Sequence, residues 1–188
     1  MKPMLSLFLF FAIITSTQLK AGIVLQYSGG YTSYTNDYDE LNFSRMLNAF
    51  YLGASLGRKT RFMIGPSYTM WNQAHTNSAG NDSEMSMTEF GATALIYLSK
   101  AKTWKVTATY CMSVNGERKV GATEEILKGS AMRFGFGYHA PITDTFALGI
   151  NLAYQITSLT SSITNNNETE IDETYTQMLP MLELAWRY

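Results

Sequence analysis

Again and again, the chain alternates apolar and polar side chains with a period of two. Along residues 103–115, Trp104, Val106, Ala108, Tyr110 and Met112 fall on one face, with Lys105, Thr107, Thr109, Cys111 and Ser113 on the other. From Phe146, the series Phe146, Leu148, Ile150, Leu152, Tyr154 and Ile156 opposes Ala147, Gly149, Asn151, Ala153, Gln155 and Thr157. A third stretch sets Met132, Phe134, Phe136 and Tyr138 against Arg133, Gly135, Gly137 and His139. Successive side chains of a strand point to opposite faces, so this periodicity predicts β-strands with one apolar and one polar face.

Five less regular segments bring the strand count to eight. Ile23, Leu25, Tyr27 and Tyr31 mark the first, and Phe50, Leu52, Ala54 and Leu56 the second, with Asn48 breaking the pattern. Phe62, Ile64, Tyr68 and Met70 mark the third, interrupted by Pro66; Phe90, Ala92, Ala94, Ile96 and Leu98 mark the fourth. Met178, Leu182, Leu184, Trp186 and Tyr188 mark the last. The connections alternate in length. Short turns are expected around Gly57-Arg58-Lys59-Thr60, Ser99-Lys100-Ala101-Lys102 and residues 140–144, and longer polar loops near 35–43, 73–85, 114–127 and 159–173. Long and short connections therefore lie at opposite ends of an up-and-down sheet.

At 188 residues, the chain suits one domain. Twelve Tyr, ten Phe and three Trp exclude a disordered polymer. After the first fifteen residues, no apolar run approaches the roughly 20 residues that a membrane-spanning helix needs. The N-terminus reads as a secretory signal: Lys2, an apolar run from Leu5 to Ile14, and a polar stretch ending on Ala21. The expected organisation is a signal over 1–21 and one β-domain over 22–188. No Cys follows the cleavage point, so a lipid anchor is not expected, and Cys111 is alone, which excludes an intramolecular disulfide. Without Lys2 and Lys20, 12 bases face 15 acids, a net charge of −3, and no basic surface is left to recruit nucleic acid.

Alternation alone does not say which face points outward; a soluble barrel would put its apolar face inside. The polar face mixes charges (Glu89, Lys105, Arg133, Glu183 and Arg187) with Gly91, Gly135, Gly137 and Gly149. That mixture suits the narrow interior of an eight-stranded barrel. Aromatics recur near the strand ends, as interfacial girdles require. The chain ends on Leu182, Leu184, Trp186 and Tyr188, an alternating strand closing on an aromatic. This terminal strand resembles the assembly signal of bacterial outer-membrane proteins, and the whole region after the signal resembles the small OmpA/OmpX-type barrels. The resemblance implies an all-β, eight-stranded antiparallel transmembrane barrel, monomeric, in the outer membrane of a Gram-negative bacterium. Its implied partners are outer-membrane lipid, lipopolysaccharide and the barrel-assembly machinery, which reads the terminal strand. Lipid offers no hydrogen-bond partners, so the first strand must pair with the last.

Three functional readings follow. The interior charges Glu89, Lys105, Arg133, Glu183 and Arg187, with Arg45 as a further candidate, are expected to pair, because a lone buried charge is costly. They form either a structural lumen plug or a narrow conduit for small or apolar solutes. Twelve of the 15 acids fall in the long connections: Asp37, Asp39, Glu40, Asp82, Glu84, Glu117, Glu124, Glu125, Glu168, Glu170, Asp172 and Glu173. Exposed acidic loops suit solubility and surface interaction; divalent cations also take carboxylate oxygens, but no loop has the spacing of a defined calcium site, and no metal or cofactor is expected. An enzyme would need a nucleophile and base within reach of each other. His75 has Ser78, Asp82 and Ser83 nearby in sequence, whereas His139 has no neighbouring Ser, and neither matches the His–Ser pattern of outer-membrane deacylases. No catalytic residue is expected. The leading expectation is a surface-interaction barrel with a filled lumen; a lipid-modifying enzyme ranks below the conduit.

Overall fold

The computed structural model describes residues 22–36, 41–55, 61–76, 82–165 and 167–188, with side chains from 22–33 and 43–55 in the first two of these stretches. The expected signal over 1–21, the turn at 57–60 and the acids Asp37, Asp39 and Glu40 lie outside these residues. Eight strands follow in order: β1 (Ile23–Asn36), β2 (Leu41–Ser55), β3 (Phe62–Thr76), β4 (Asp82–Tyr97), β5 (Trp104–Val120), β6 (Thr123–Pro141), β7 (Phe146–Thr164) and β8 (Asn167–Arg187). Each pairs antiparallel with its neighbour, and β1 pairs with β8 to close the barrel.

The apolar face points outward. Trp104, Val106 and Tyr110, then Leu148, Ile150, Leu152 and Tyr154, are exposed, while Lys105, Thr107, Thr109, Asn151 and Gln155 are buried. Water would not tolerate such a surface, but a hydrocarbon belt requires it. A helix is not needed to cross the bilayer. The exterior, together with the eight-stranded closure, places the protein in a bacterial outer membrane.

The belt is shorter than the strands. On β3 the outward series runs Phe62, Ile64, Pro66, Tyr68 and Met70, then turns polar at Asn72; on β4 it ends at Phe90, before Thr88 and Ser86. Tyr68 and Phe90 stand opposite each other, with Phe50 and Tyr27 continuing the same row. The other edge carries Trp104, whose ring centroid lies 5.4 Å from Phe136 and 5.0 Å from Tyr138, and Trp186, 5.2 Å from Phe146. Tyr68 is thus a girdle residue although it sits mid-strand. The aromatics mark where lipid ends, not where the strand ends.

Above the belt, the described residues of the expected long loops are largely sheet. β5 and β6 run on to a tight turn at Gly121, whose φ of 59° suits glycine, and β7 and β8 run on to Asn165 with φ 52°, a left-handed position that Asn tolerates. The stretches expected as loops near 114–127 and 159–173 are therefore hairpins that continue the wall beyond the membrane. Polar composition misled here because these strands meet water on their outer face and polar partners inside. A register shift at Met112–Ser113 on β5 adds a residue between Cys111 and Val114. It reverses the faces: odd residues point inward up to Cys111, even ones from Val114 onward. Ser113, expected on the inner face, is exposed for this reason.

The β1–β8 joint is the short one. Its ladder runs from Val24↔Arg187 to Gly29↔Leu182, preceded by a mutual pair of 2.8 Å bonds between Ile23 and Tyr188. Odd residues of β1 therefore exchange bonds with even residues of β8, and the next such pair would be Tyr31 with Pro180. Proline has no N–H to give. Its nitrogen faces β1 rather than β7, so the β7–β8 ladder passes through Leu152↔Pro180 undisturbed. On β3, Pro66 likewise leaves the strand whole. The β2–β3 register skips from Tyr51↔Ser67 to Ala54↔Ile64, while Pro66↔Ala92 continues the ladder to β4.

Candidate functional site: the filled lumen and its outer vestibule

The lower lumen is built around Glu183, which β8 aims inward at 1% exposure. Its Oε2 accepts from Lys105 Nζ at 2.7 Å, with both side chains fully buried, and from His139 Nε2 at 2.9 Å. Its Oε1 accepts from Gln26 Nε2 at 2.9 Å and Ser28 Oγ at 3.0 Å. Lys105 also donates to Gln26 Oε1 at 2.9 Å. Arg187 Nη2 lies 2.9 Å from His139 Nδ1. A guanidinium only donates, so Nδ1 accepts, and Nε2 carries the proton that His139 gives to Glu183. Arg187 also lies over the Tyr97 ring at 5.0 Å. A Cβ at Gly149 would run into the His139 ring, and one at Gly137 would come within 3.1 Å of Lys105 Cε. The glycines of the polar face make room for the charges beside them.

A second polar group sits higher. Glu89 Oε1 accepts from Trp71 Nε1 at 2.7 Å, Gln155 Nε2 at 2.6 Å and Thr157 Oγ1 at 3.2 Å. The Arg45 guanidinium stacks 3.7 Å from the Trp71 ring. Arg133 donates to Thr69 Oγ1 at 2.8 Å. The expected single charge network is thus two clusters. Lys105, Glu183 and Arg187 are brought together in one, Glu89 and Arg45 meet through Trp71 in the other, and Arg133 pairs with a hydroxyl. Gln26, His139, Trp71 and Gln155 complete these clusters and were not expected in them. His139 lay on the polar face of its strand, and that parity was the available signal.

The lumen is not polar throughout. Leu47, Trp71, Met87, Leu127, Leu159, Leu179 and Met181 form a buried apolar cluster in its upper half, and Val24, Met63, Leu95 and Ala185 another near the short-turn end. Residues that break strict alternation, such as Leu47 and Met87, are inward-facing apolar side chains that a polar-lumen expectation overlooks. Both apolar clusters and the ion pairs fill the bore with side chains.

Above the upper cluster the hairpins are tied across the mouth. Arg118 of β5 donates to both oxygens of Glu173 on β8, at 2.6 and 3.1 Å, and through Nη2 to Glu125 Oε2 on β6 at 2.7 Å. Tyr175 OH donates to Glu173 Oε2 at 2.9 Å, and Ser162 of β7 reaches Glu125 at 3.3 Å. The hydrogen bond from Arg118 holds the Glu173 carboxyl below its usual value of 4.5, and Glu173 in turn raises the Arg118 guanidinium. Burial raises the Tyr175 phenol. Lys119–Glu124 at 3.8 Å and Lys128–Glu168 at 3.4 Å are exposed pairs of little energetic weight. Among the described residues, the acids expected in loops stand on strands, several of them partnered by Arg118, Lys119 and Lys128.

A vestibule of about 640 Å³ opens at this level, lined by Phe43, Gln73, His75, Arg118, Glu125 and Tyr175 among others. His75, expected in a loop, is on β3 directly opposite Ser83. No side-chain hydrogen bond joins them. Among the described residues, no cluster of His, Cys, Asp and Glu has the makings of a metal site. Of the terminal motif, Leu182 and Tyr188 are 72% and 74% exposed, while Leu184 and Trp186 are half-covered in the ladders to β1 and β7.

No protein-family model matches the chain, and no curated protein matches it. Among solved structures it is similar to Ail, the attachment invasion locus protein of Yersinia pestis, at 10% identity and a TM-score of 0.48, over 89% of this chain and 98% of that one. It is similar to Neisserial surface protein A at 10% identity and a TM-score of 0.43, over 89% and 97% of the two chains. The translocator domain of the autotransporter NalP from Neisseria meningitidis matches at 10% identity and a TM-score of 0.43, over 97% of this chain and 66% of that one. By its own strand count, closure and apolar belt, this chain is an eight-stranded up-and-down β-barrel of the outer membrane.

Proposed function

We propose that the protein is a monomeric surface-interaction barrel that works through the hairpins above the membrane, and neither a solute conduit nor an enzyme. The observation that carries this reading is the filled bore: Lys105, Glu183, His139, Leu47, Met87, Leu127 and Leu159 are all 2% exposed or less. A solute path would need space where these side chains lie. Against catalysis, both ring nitrogens of His139 are engaged by Glu183 and Arg187, and His75 lacks the bonded nucleophile and orienting acid that a hydrolase assembles. The hairpins are stiffened instead, and function on a rigid scaffold sits in such projecting segments.

Partners follow from the surfaces. The belt and its aromatic edges contact outer-membrane lipid and lipopolysaccharide, and the terminal strand with Leu182, Leu184, Trp186 and Tyr188 is the element that the assembly machinery reads. The outer rim carries Glu84, Glu117, Glu168, Glu170 and Asp172 on exposed positions, which suits a basic partner surface. The purified barrel in planar bilayers should give no discrete conductance steps. Cells displaying it should attach to a polylysine-coated surface, and shortening the hairpins at 117–124 and 162–170 should abolish attachment while the barrel still folds. Stepwise conductance, or attachment unchanged by shortening, would overturn the reading.

A further inference from the structure

At the short-turn end of the barrel, two turns and the last residues of β8 come together. His139 N–H donates to the Thr103 carbonyl at 2.7 Å, which sets the turn before β5 beside the end of β6. Arg187 N–H donates to the Thr145 carbonyl at 2.7 Å, which sets the turn before β7 beside the end of β8. A pocket of about 330 Å³ lies here, and its wall carries Lys100, Lys102 and Arg187. Among the described residues, none of these three cations forms an ion pair with a carboxylate. The side-chain acid on the wall, Asp144, pairs with none of them, and the Tyr188 terminus already accepts from Ile23 N–H at 2.8 Å.

Three cations around one space repel one another unless an anion joins them. Lys102 takes a φ of 55°, a left-handed position in which glycine would be the unstrained residue, yet a long cation stands there. Burial and the nearby Arg187 push its ammonium below the ordinary value of 10.5. Arg187 gives Nη2 to His139 Nδ1, and a guanidinium has further N–H donors beyond that one.

The pocket also sits at the edge of the hydrocarbon. Trp104 follows Lys102 by two residues, Trp186 precedes Arg187, and Leu98 and Ile142 beside the two turns are exposed. Aromatic rings at such an edge mark the headgroup layer, where lipid phosphates lie. The opposite rim is acidic, with Glu84, Glu117, Glu168, Glu170 and Asp172 exposed. An anionic headgroup is therefore drawn to the short-turn end and repelled from the other.

We propose that this pocket is a phospholipid site, in which Lys100, Lys102 and Arg187 hold the phosphate of an anionic headgroup whose acyl chains stay in the belt. The site depends on the belt lying in lipid and is independent of what the outer hairpins bind.

The refolded barrel in detergent, titrated with phosphatidylglycerol or phosphatidylcholine and read by native mass spectrometry, should retain one phosphatidylglycerol in preference. Lys100→Gln combined with Lys102→Gly should weaken that retention by about fivefold for each cation removed. Glycine relaxes the backbone at 102, and gel mobility before and after boiling, unchanged from the wild type, separates loss of lipid from loss of fold. Lys119→Gln with Lys128→Gln, at the acidic end, should leave the retention as it was. Equal retention of the two lipids, or a preference untouched by the changes at 100 and 102, would overturn the site. Displacement of the lipid by an equal concentration of inorganic phosphate would assign the pocket to a soluble anion and overturn it as well.

Discussion

Glu183 accepts four hydrogen bonds in a buried place, so its carboxylate holds up every neighbour that donates to it. Glu183→Gln should strand the Lys105 ammonium and cost about 3–5 kcal/mol, read as a lower urea midpoint of the refolded barrel. Replacing both partners, Lys105→Met with Glu183→Leu, should recover most of that loss; if it costs as much as the two single changes together, the pair is not the source. Gly149→Ala should cost about 1–3 kcal/mol by driving a methyl into the His139 ring, and His139→Ala in the same chain should relieve it. Parity made Lys105 and Glu183 legible as inward charges. It could not show that His139 stands between Glu183 and Arg187, because such a contact depends on how strands are staggered around the barrel, and alternation within one strand carries no stagger.

In the hairpin formed by β5 and β6, one added residue at Met112–Ser113 reverses the faces of β5, and that reversal is what carries Arg118 inside. A one-residue irregularity leaves almost no trace in a polar sequence, which is why 114–127 reads as a loop. Arg118→Ala should leave the barrel folded and raise the rate of proteolytic nicking in 117–125 and 165–173 severalfold, measured on intact vesicles. The same tie is pH-sensitive in a defined sense. Because Glu173 is held below its usual value of 4.5, the stability it adds is present above that value and fades as pH falls through its lowered folded one. Hydrogen exchange in the two hairpins should therefore speed up below about pH 4.5 in the wild type, with Arg118→Ala already fast at neutral pH. On the opposite side of the wall, Pro180→Leu should restore the donor facing Tyr31, lengthen the β1–β8 ladder and slow unfolding, by about 1 kcal/mol for one added bond. If the amide that this substitution introduces exchanges as fast as an unpaired one, the proline is not what stops the ladder.

As a whole, the molecule should run differently on a gel before and after boiling in detergent, since a closed barrel resists unfolding and keeps its compact mobility until heated. Strand number, order and outward apolar face were all legible, because a transmembrane barrel must repeat one simple constraint along every strand. The apolar plug of Leu47, Met87, Leu127 and Leu159 was not, since Leu127 and Leu159 lie at the edges of stretches that read as loops, while Leu47 and Met87 are apolar on the face expected to be polar. The two ends of the barrel also differ in how they are joined. Near the short turns all eight seams are stitched and the wall is a pipe of fixed girth. Past Gly29 and Leu182, the last seam is unstitched and the same wall becomes a split cuff. A pipe cannot widen without tearing hydrogen bonds, but a cuff can flex at its slit. The slit therefore leaves the outer section freer to change diameter than the membrane-embedded one.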